Sequence, residues 1–335
     1  MRACSICGKE NPDDGRFCSF CGKALGPADK EAAVTADQAS ENAKKIILYS
    51  IGSRGKTDRR ISPAWSAVTL LLVLPTAGIY WSSIVAILLS LNFGGEDGLF
   101  EFYYVYGRNL LTIAFGALFA LLVFKMLSRM NAHIEREERL RRGVMSYLMA
   151  SSRGLSSEPG MMKELIAASA YDGQALVYEK KMPAKKWAYQ FALVFMIGSL
   201  LTIAEGLWLF DAGGLFERFA LFALMAIVTY LVIIIGLVML LMFASNLMKT
   251  MYTHEVRWIG FVNSTGVALR RLGKRFDPSA QATAMKERSM MLYAVLTVIT
   301  FGLFGIYWLY VLIDDPNKHF VRQEAVEDAL KKALQ

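Results

Sequence analysis

The chain has 335 residues, 55% of them hydrophobic and 20% charged, with a mean hydropathy of +0.36. That balance excludes an ordinary soluble domain and fits a chain with several membrane spans. The net charge of +8 does not call for nucleic acid, because lysine- and arginine-rich loops on one side of a membrane account for it.

Residues 1–23 hold all four cysteines, as Cys4-x-x-Cys7 and Cys18-x-x-Cys21, each pair followed by Gly-Lys. Two thiolates three apart chelate one ion from a tight turn, and Gly8 and Gly22 allow the positive φ such turns use. Four sulfurs fill a tetrahedral zinc shell and leave no open position, so one structural zinc ion is expected here. A redox dithiol is the competing reading, disfavoured by the matched spacing of the two pairs. The stretch, down to Arg16-Phe17-Cys18, resembles the short zinc ribbons at the N-termini of many bacterial and archaeal membrane proteins. Such ribbons bind nucleic acid or protein. Here Arg2, Lys9, Arg16 and Lys23 are nearly balanced by Glu10, Asp13 and Asp14, which argues for a protein partner and against nucleic acid. Thiolate ligands and a polar N-terminus place the ribbon in the cytosol.

Residues 24–63 read as a flexible linker followed by a basic juxtamembrane collar. Gly52-Ser-Arg-Gly55-Lys56-Thr57 is not a phosphate loop, because the glycine required five residues before Gly55 is Ser50. Five apolar stretches follow, at about 65–91, 109–127, 187–210, 219–247 and 290–313, each of bilayer-crossing length. The expected fold class is an all-α polytopic membrane protein of about five transmembrane helices, built from repeated span-plus-amphipathic-helix units behind the ribbon. Residues 64–143 form the first unit, 144–186 a cytosolic segment, 187–289 the second unit, and 290–335 a truncated third with a charged tail. Basic segments at 129–186 and 249–289 place those loops in the cytosol of a multi-pass cell-membrane protein. An odd fifth span would send the tail outside, although the tail resembles the cytosolic ends of spans two and four.

The repeat is carried by the chain's three histidines, each followed three residues on by arginine: His133 and Arg136, His254 and Arg257, His319 and Arg322. Aligning 113–139 with 299–325 without a gap also pairs Asn131 with Asn317, and Trp187 stands in the place of Trp65. A competing alignment pairs Gly305-Ile-Tyr-Trp308 with Gly78-Ile-Tyr-Trp81. Thr300-Phe-Gly-Leu-Phe-Gly-Ile-Tyr-Trp308, followed by Asn317-x-His319, resembles a prokaryotic membrane-protein family of unknown function with a Thr-x-Gly…Tyr-Trp run. That resemblance covers about the last 50 residues and implies no activity.

Histidine and arginine at i and i+3 share a helix face, so the three pairs are candidate interfacial sites for lipid phosphates or an acidic partner. The bland alternative is snorkelling anchors. Three histidines also suit zinc, provided all converge on one point. Glu205 is the one carboxylate at membrane depth and an intramembrane polar candidate. No nucleophile–base pair or open metal constellation stands out, so no enzyme is expected. The reading is a membrane-anchored zinc-ribbon protein that recruits a cytosolic protein partner, with an oligomer compatible. Its competitor is a repeat-built transporter or channel using Glu205.

Overall fold

The structure, a computed structural model, describes residues 2–4, 9–12, 15, 17–18, 36–67, 98–152, 159–211, 215–278, 285–300 and 303–335. The side chains of 98–108, 205–223, 225, 226 and 233 lie outside that description. Most of the first predicted span (68–91 of it), the residues up to 97 and most of the ribbon and linker are therefore not covered. The described elements are helices, joined by short non-helical connections, apart from a two-residue ladder at the N-terminus. There β1 (Arg2–Ala3) pairs antiparallel with β2 (Glu10–Asn11).

Helix α1 (Ala36–Gly52) occupies part of the predicted linker. Its buried residues Ala39, Ala43, Ile47, Ser50 and Ile51 recur at three- and four-residue steps, one stripe of a helix. The stripe lies along the helix Gly98–Ser151 (α3), and a Cβ at Gly143 would come within 3.0 Å of Ile47. The linker reading fails for 36–43 because small alanines, which read as featureless in the sequence, permit this close helix contact. A short α2 (Arg54–Thr57) and a 3₁₀ turn (Pro63–Ser66) follow. Ser62 caps the turn by accepting from the Ala64 amide.

The body is made by α3 (Gly98–Ser151), α4 (Pro159–Tyr178), α5 (Ala184–Asp211) and α6 (Leu215–Arg271). Three of the described helical segments, Asn109–Ser151, Ala184–Ala204 and Ile227–Arg271, are long and apolar enough to cross a membrane. Exposed Leu231, Ile234, Ile235, Val238 and Met242 on α6 form the apolar outer surface such a helix needs. α3 and α6 then run on, without a break, well beyond membrane length. Within the segment 144–186, the described residues include the end of α3, all of α4, which packs on the extension of α6, and the start of α5.

Residues 290–313 correct the fifth span. They form two helices, α7 (Met290–Ile299) and the start of α8 (Leu303–Leu334), joined by a turn in which the Leu303 amide donates to the Thr300 carbonyl at 3.1 Å. Thr300 Oγ1 also accepts from the Phe304 amide at 2.9 Å. Tyr293 packs against Phe304, Tyr307 and Trp308, so the two helices run antiparallel. Ten residues of helix rise about 15 Å, half a bilayer core. The chain folds back on itself here, which brings its tail to the polar ends of α3 and α6.

Two apolar cores result. One, at membrane level, holds Leu122, Met126, Phe191, Phe243, Leu247, Trp308 and Leu312. The other, among the polar extensions, holds Ile47, Leu140, Leu148, Trp258, Phe261, Val326 and Leu330. Between them lie His133, His254 and His319.

Candidate functional site: a buried histidine cluster

The three histidines come from α3, α6 and α8, and none has solvent exposure (0% each). They face one another. Their Nε2 atoms are 3.2 Å apart for His133–His254, 3.2 Å for His133–His319 and 3.3 Å for His254–His319. Glu137, one turn beyond His133 on α3, adds a carboxylate: its Oε2 lies 3.0 Å from His254 Nε2 and 3.5 Å from His133 Nε2. Among the described residues these four are the group able to hold a metal ion, their donor atoms all within 4.8 Å of one another.

Each imidazole has a carboxylate behind it. Asp58 lies 3.1 Å from His133 Nδ1, Glu179 lies 3.2 Å from His254 Nδ1, and Glu255 makes a short contact with His319 Nδ1. The arginine three residues after each histidine holds the same carboxylate. Arg136 donates Nη2 to Asp58 at 2.6 Å, Arg257 donates Nε to Glu179 at 2.9 Å, and Arg322 donates Nη2 to Glu255 at 2.8 Å. The expected outward-facing lipid or partner set is thereby corrected for the histidines and Arg136. These side chains are buried among one another because a helix turn places histidine and arginine on one inward face. Arg257 and Arg322 keep 13% and 24% side-chain exposure, but their guanidiniums also point at the inner carboxylates.

A second ring of charge surrounds the first. Arg141 reaches Glu137 by a short contact and donates Nε to Asp172 at 3.0 Å. Arg136 also donates Nη1 to Glu327 at 2.6 Å. Gln323 Nε2 donates to Glu137 Oε2 at 3.4 Å. Burial pushes Glu327 up to about 7, since Arg136 must serve Asp58 as well. Burial would also raise Asp58, but His133 and Arg136 overcome it and hold that carboxyl at about 2. Burial drives His319 down to about 4, leaving a neutral ring at ordinary pH.

The N-terminal cysteines are partly described. Cys4 and Cys18 are buried, the Cys4 amide donates to the Lys9 carbonyl at 2.9 Å, and Asn11 Nδ2 approaches Cys18 Sγ at 3.5 Å. Cys7 and Cys21 lie outside the described residues, as does the side chain of Glu205. The Lys125 ammonium sits over the Trp65 ring at 4.8 Å.

Asp58, Glu137, Glu179 and Glu255 escaped the sequence reading. Glu137 was within reach of it, since His133 and Glu137 are i and i+4 on one helix face. Asp58 and Glu179 stand seven and eight residues before Trp65 and Trp187, a second duplicated position.

Residues 288–332, which cover α7, the turn and most of α8 with His319 and Arg322, match the model of a domain of unknown function, DUF4234. No curated protein and no solved structure matches the chain.

Proposed function

We propose that this chain is a membrane-anchored platform whose N-terminal cysteine-rich ribbon, holding one structural zinc ion through Cys4, Cys7, Cys18 and Cys21, recruits a cytosolic protein partner. The observation that carries this reading is the seating of α1 on α3. The helix that follows the ribbon and its tether is packed into the apolar core of the polar body, so the ribbon is attached to a fixed point beside the membrane. Basic polar loops favour a cytosolic side for that body in the cell membrane. A crosslinked pull-down from intact membranes, native chain against the Cys18→Ser/Cys21→Ser double variant, tests it. A protein captured only by the native chain supports recruitment; identical captures, or none, sink it.

A transporter or channel is the second reading, and the α7–α8 hairpin favours it, since half-membrane helices line many transport paths. Buried Asn109 accepts from Thr202 Oγ1 at 2.6 Å between α3 and α5, a polar pair at membrane depth. Cation or proton flux through vesicles carrying the purified chain, lost on Asn109→Leu, would move the balance to transport.

A further inference from the structure

We propose that His133, His254, His319 and Glu137 bind one divalent transition-metal ion of the zinc class, at a site separate from the N-terminal cysteines.

Hydrogen positions on the rings follow from their partners. Carboxylates stand at the Nδ1 side of all three rings, hydrogen-bonded to His133 and His319 and 3.2 Å from His254 without hydrogen-bond geometry; with the ring proton on Nδ1, each Nε2 presents a lone pair to the centre. Three such lone pairs and one carboxylate oxygen then face each other at 3.0 to 3.5 Å where distances are defined. Four acceptors without a donor between them repel. One proton on a single Nε2 would serve one of these contacts and leave the other rings opposed. A cation at the centre serves all four at once.

The spacing of the three Nε2 atoms is that of one face of a tetrahedron, with the Glu137 carboxylate on the fourth side. Ligand atoms about 2.0–2.1 Å from a zinc ion stand about 3.3–3.4 Å from one another. The three Nε2–Nε2 edges, 3.2, 3.2 and 3.3 Å, lie close to that length. Three imidazoles and one carboxylate suit zinc, cobalt or a neighbouring ion and not magnesium or calcium, which take oxygen shells.

The outer groups have the form that metal-bound histidines need. A ligating imidazole almost always donates its other N–H to a carboxylate or carbonyl, which fixes its tautomer and orientation. Here Asp58 and Glu255 partner His133 and His319 in this way, Glu179 stands 3.2 Å from Nδ1 of His254, and each carboxylate is itself clamped by the arginine one turn beyond its histidine. His-x-x-Arg thus repeats because it writes one ligand arm: ring inward, guanidinium gripping the ring's carboxylate.

The charge of the network agrees. Arg136, Arg141, Arg257 and Arg322 are interlinked with Asp58, Glu137, Asp172, Glu179, Glu255 and Glu327. Four guanidiniums stand against six carboxylates, of which Glu327 titrates at about 7, so the network keeps an excess of negative charge that a cation offsets. Four protein ligands and full burial leave no position for substrate, so the ion is structural. It ties α3, α6 and α8 together where the membrane core meets the polar body.

The test uses the full chain in detergent with all four cysteines replaced by serine, so that thiol-bound zinc does not contribute. One zinc ion per chain by elemental analysis is expected. After chelator stripping, cobalt(II) titration should give intense tetrahedral ligand-field bands that saturate at one equivalent. On the same background, His319→Cys should keep the cobalt and add a thiolate-to-metal charge-transfer band, a gain that mere loss of folding cannot produce. His254→Ala should abolish binding. A thiol-free chain without zinc that gives no tetrahedral cobalt spectrum would overturn the proposal, as would full metal retention by His254→Ala or no new band in His319→Cys.

Discussion

Arg136, Arg257 and Arg322 look interchangeable in the sequence, yet their carboxylate partners reach them from different places. Asp58 comes from the segment after α2, Glu179 from the segment after α4, and Glu255 from α6 itself, next to His254. The third unit has no carboxylate of its own at this position among the described residues and takes one from the second. Asp58→Asn and Glu255→Gln each keep a side chain of the same size but lose the anionic acceptor. Each should weaken zinc binding by about 10- to 100-fold while leaving the chain folded. Competition with a chelator of known affinity checks this, and unchanged affinity in both would remove the carboxylates from the ligand arms.

Glu327 carries a pH prediction at the same scale. Its folded-state value of about 7 is above the ordinary 4.5, so between those values the folded chain binds a proton that the unfolded chain has released. Stability of the metal-stripped protein is therefore highest below about pH 4.5 as far as this group is concerned. It falls as pH rises to about 7, by about 3 kcal/mol. Glu327→Gln should remove that slope. Melting curves of both forms from pH 4.5 to 7.5 decide it; parallel slopes would mean Arg136 keeps Glu327 ionised throughout.

At the scale of elements, the units are locked to each other by two asparagines. Asn317 on α8 brackets Ile61, just ahead of the first unit, donating Nδ2 to its carbonyl at 2.8 Å and accepting its amide at 3.2 Å. Asn131 on α3 brackets Met182, donating at 2.7 Å and accepting at 3.0 Å. Ile61 and Met182 stand four and five residues before Trp65 and Trp187, so the third unit grips the lead-in to the first and the first grips the lead-in to the second in the same way. Asn131→Ala or Asn317→Ala leaves a partly buried amide and carbonyl without partners, a cost of about 1–3 kcal/mol. The melting temperature of either variant in detergent should drop, with Asn→Asp restoring only the amide contact.

Close helix contact in the membrane rests on glycine. A Cβ at Gly116 of α3 would meet the Phe195 Cβ of α5 at 2.5 Å, and one at Gly236 would meet Val194 at 3.0 Å. The Phe195 Cβ is fixed to its backbone and cannot swing aside, so Gly116→Ala must separate the helices. A loss of about 1–3 kcal/mol is expected for such overpacking. Gly198→Ala meets only Val232 at 3.7 Å, ordinary contact, and should be tolerated. Comparing the thermal melts of these two variants gives the check.

At the scale of the whole molecule, the α7–α8 hairpin sets the side on which the chain ends. Because His319 meets His133 and His254, the tail and the 129–186 segment share one side of the membrane. Single cysteines introduced at Lys180 and Gln335 in the thiol-free chain should both react, or both stay protected, when intact vesicles meet a membrane-impermeant maleimide. Opposite reactivity would restore a fifth crossing and separate the histidines.

Much of this protein is legible without coordinates. Bilayer-length apolar runs point to a helical membrane class, and hydropathy alone marks α3, α5 and α6 as the described helices with segments long and apolar enough to cross. The repeated His-x-x-Arg also marks the right ring of residues, since periodicity places each pair on one helix face. What hydropathy does not contain is direction. An apolar run of 24 residues reads as one crossing whether or not it turns at Thr300, because both forms bury the same side chains in lipid. Only the tertiary structure shows the turn, and the turn decides which way the histidines face. Convergence of three side chains from helices 65 to 186 residues apart is a property of packing. An inward charge and a snorkelling charge have the same spelling until the neighbouring helices are in place.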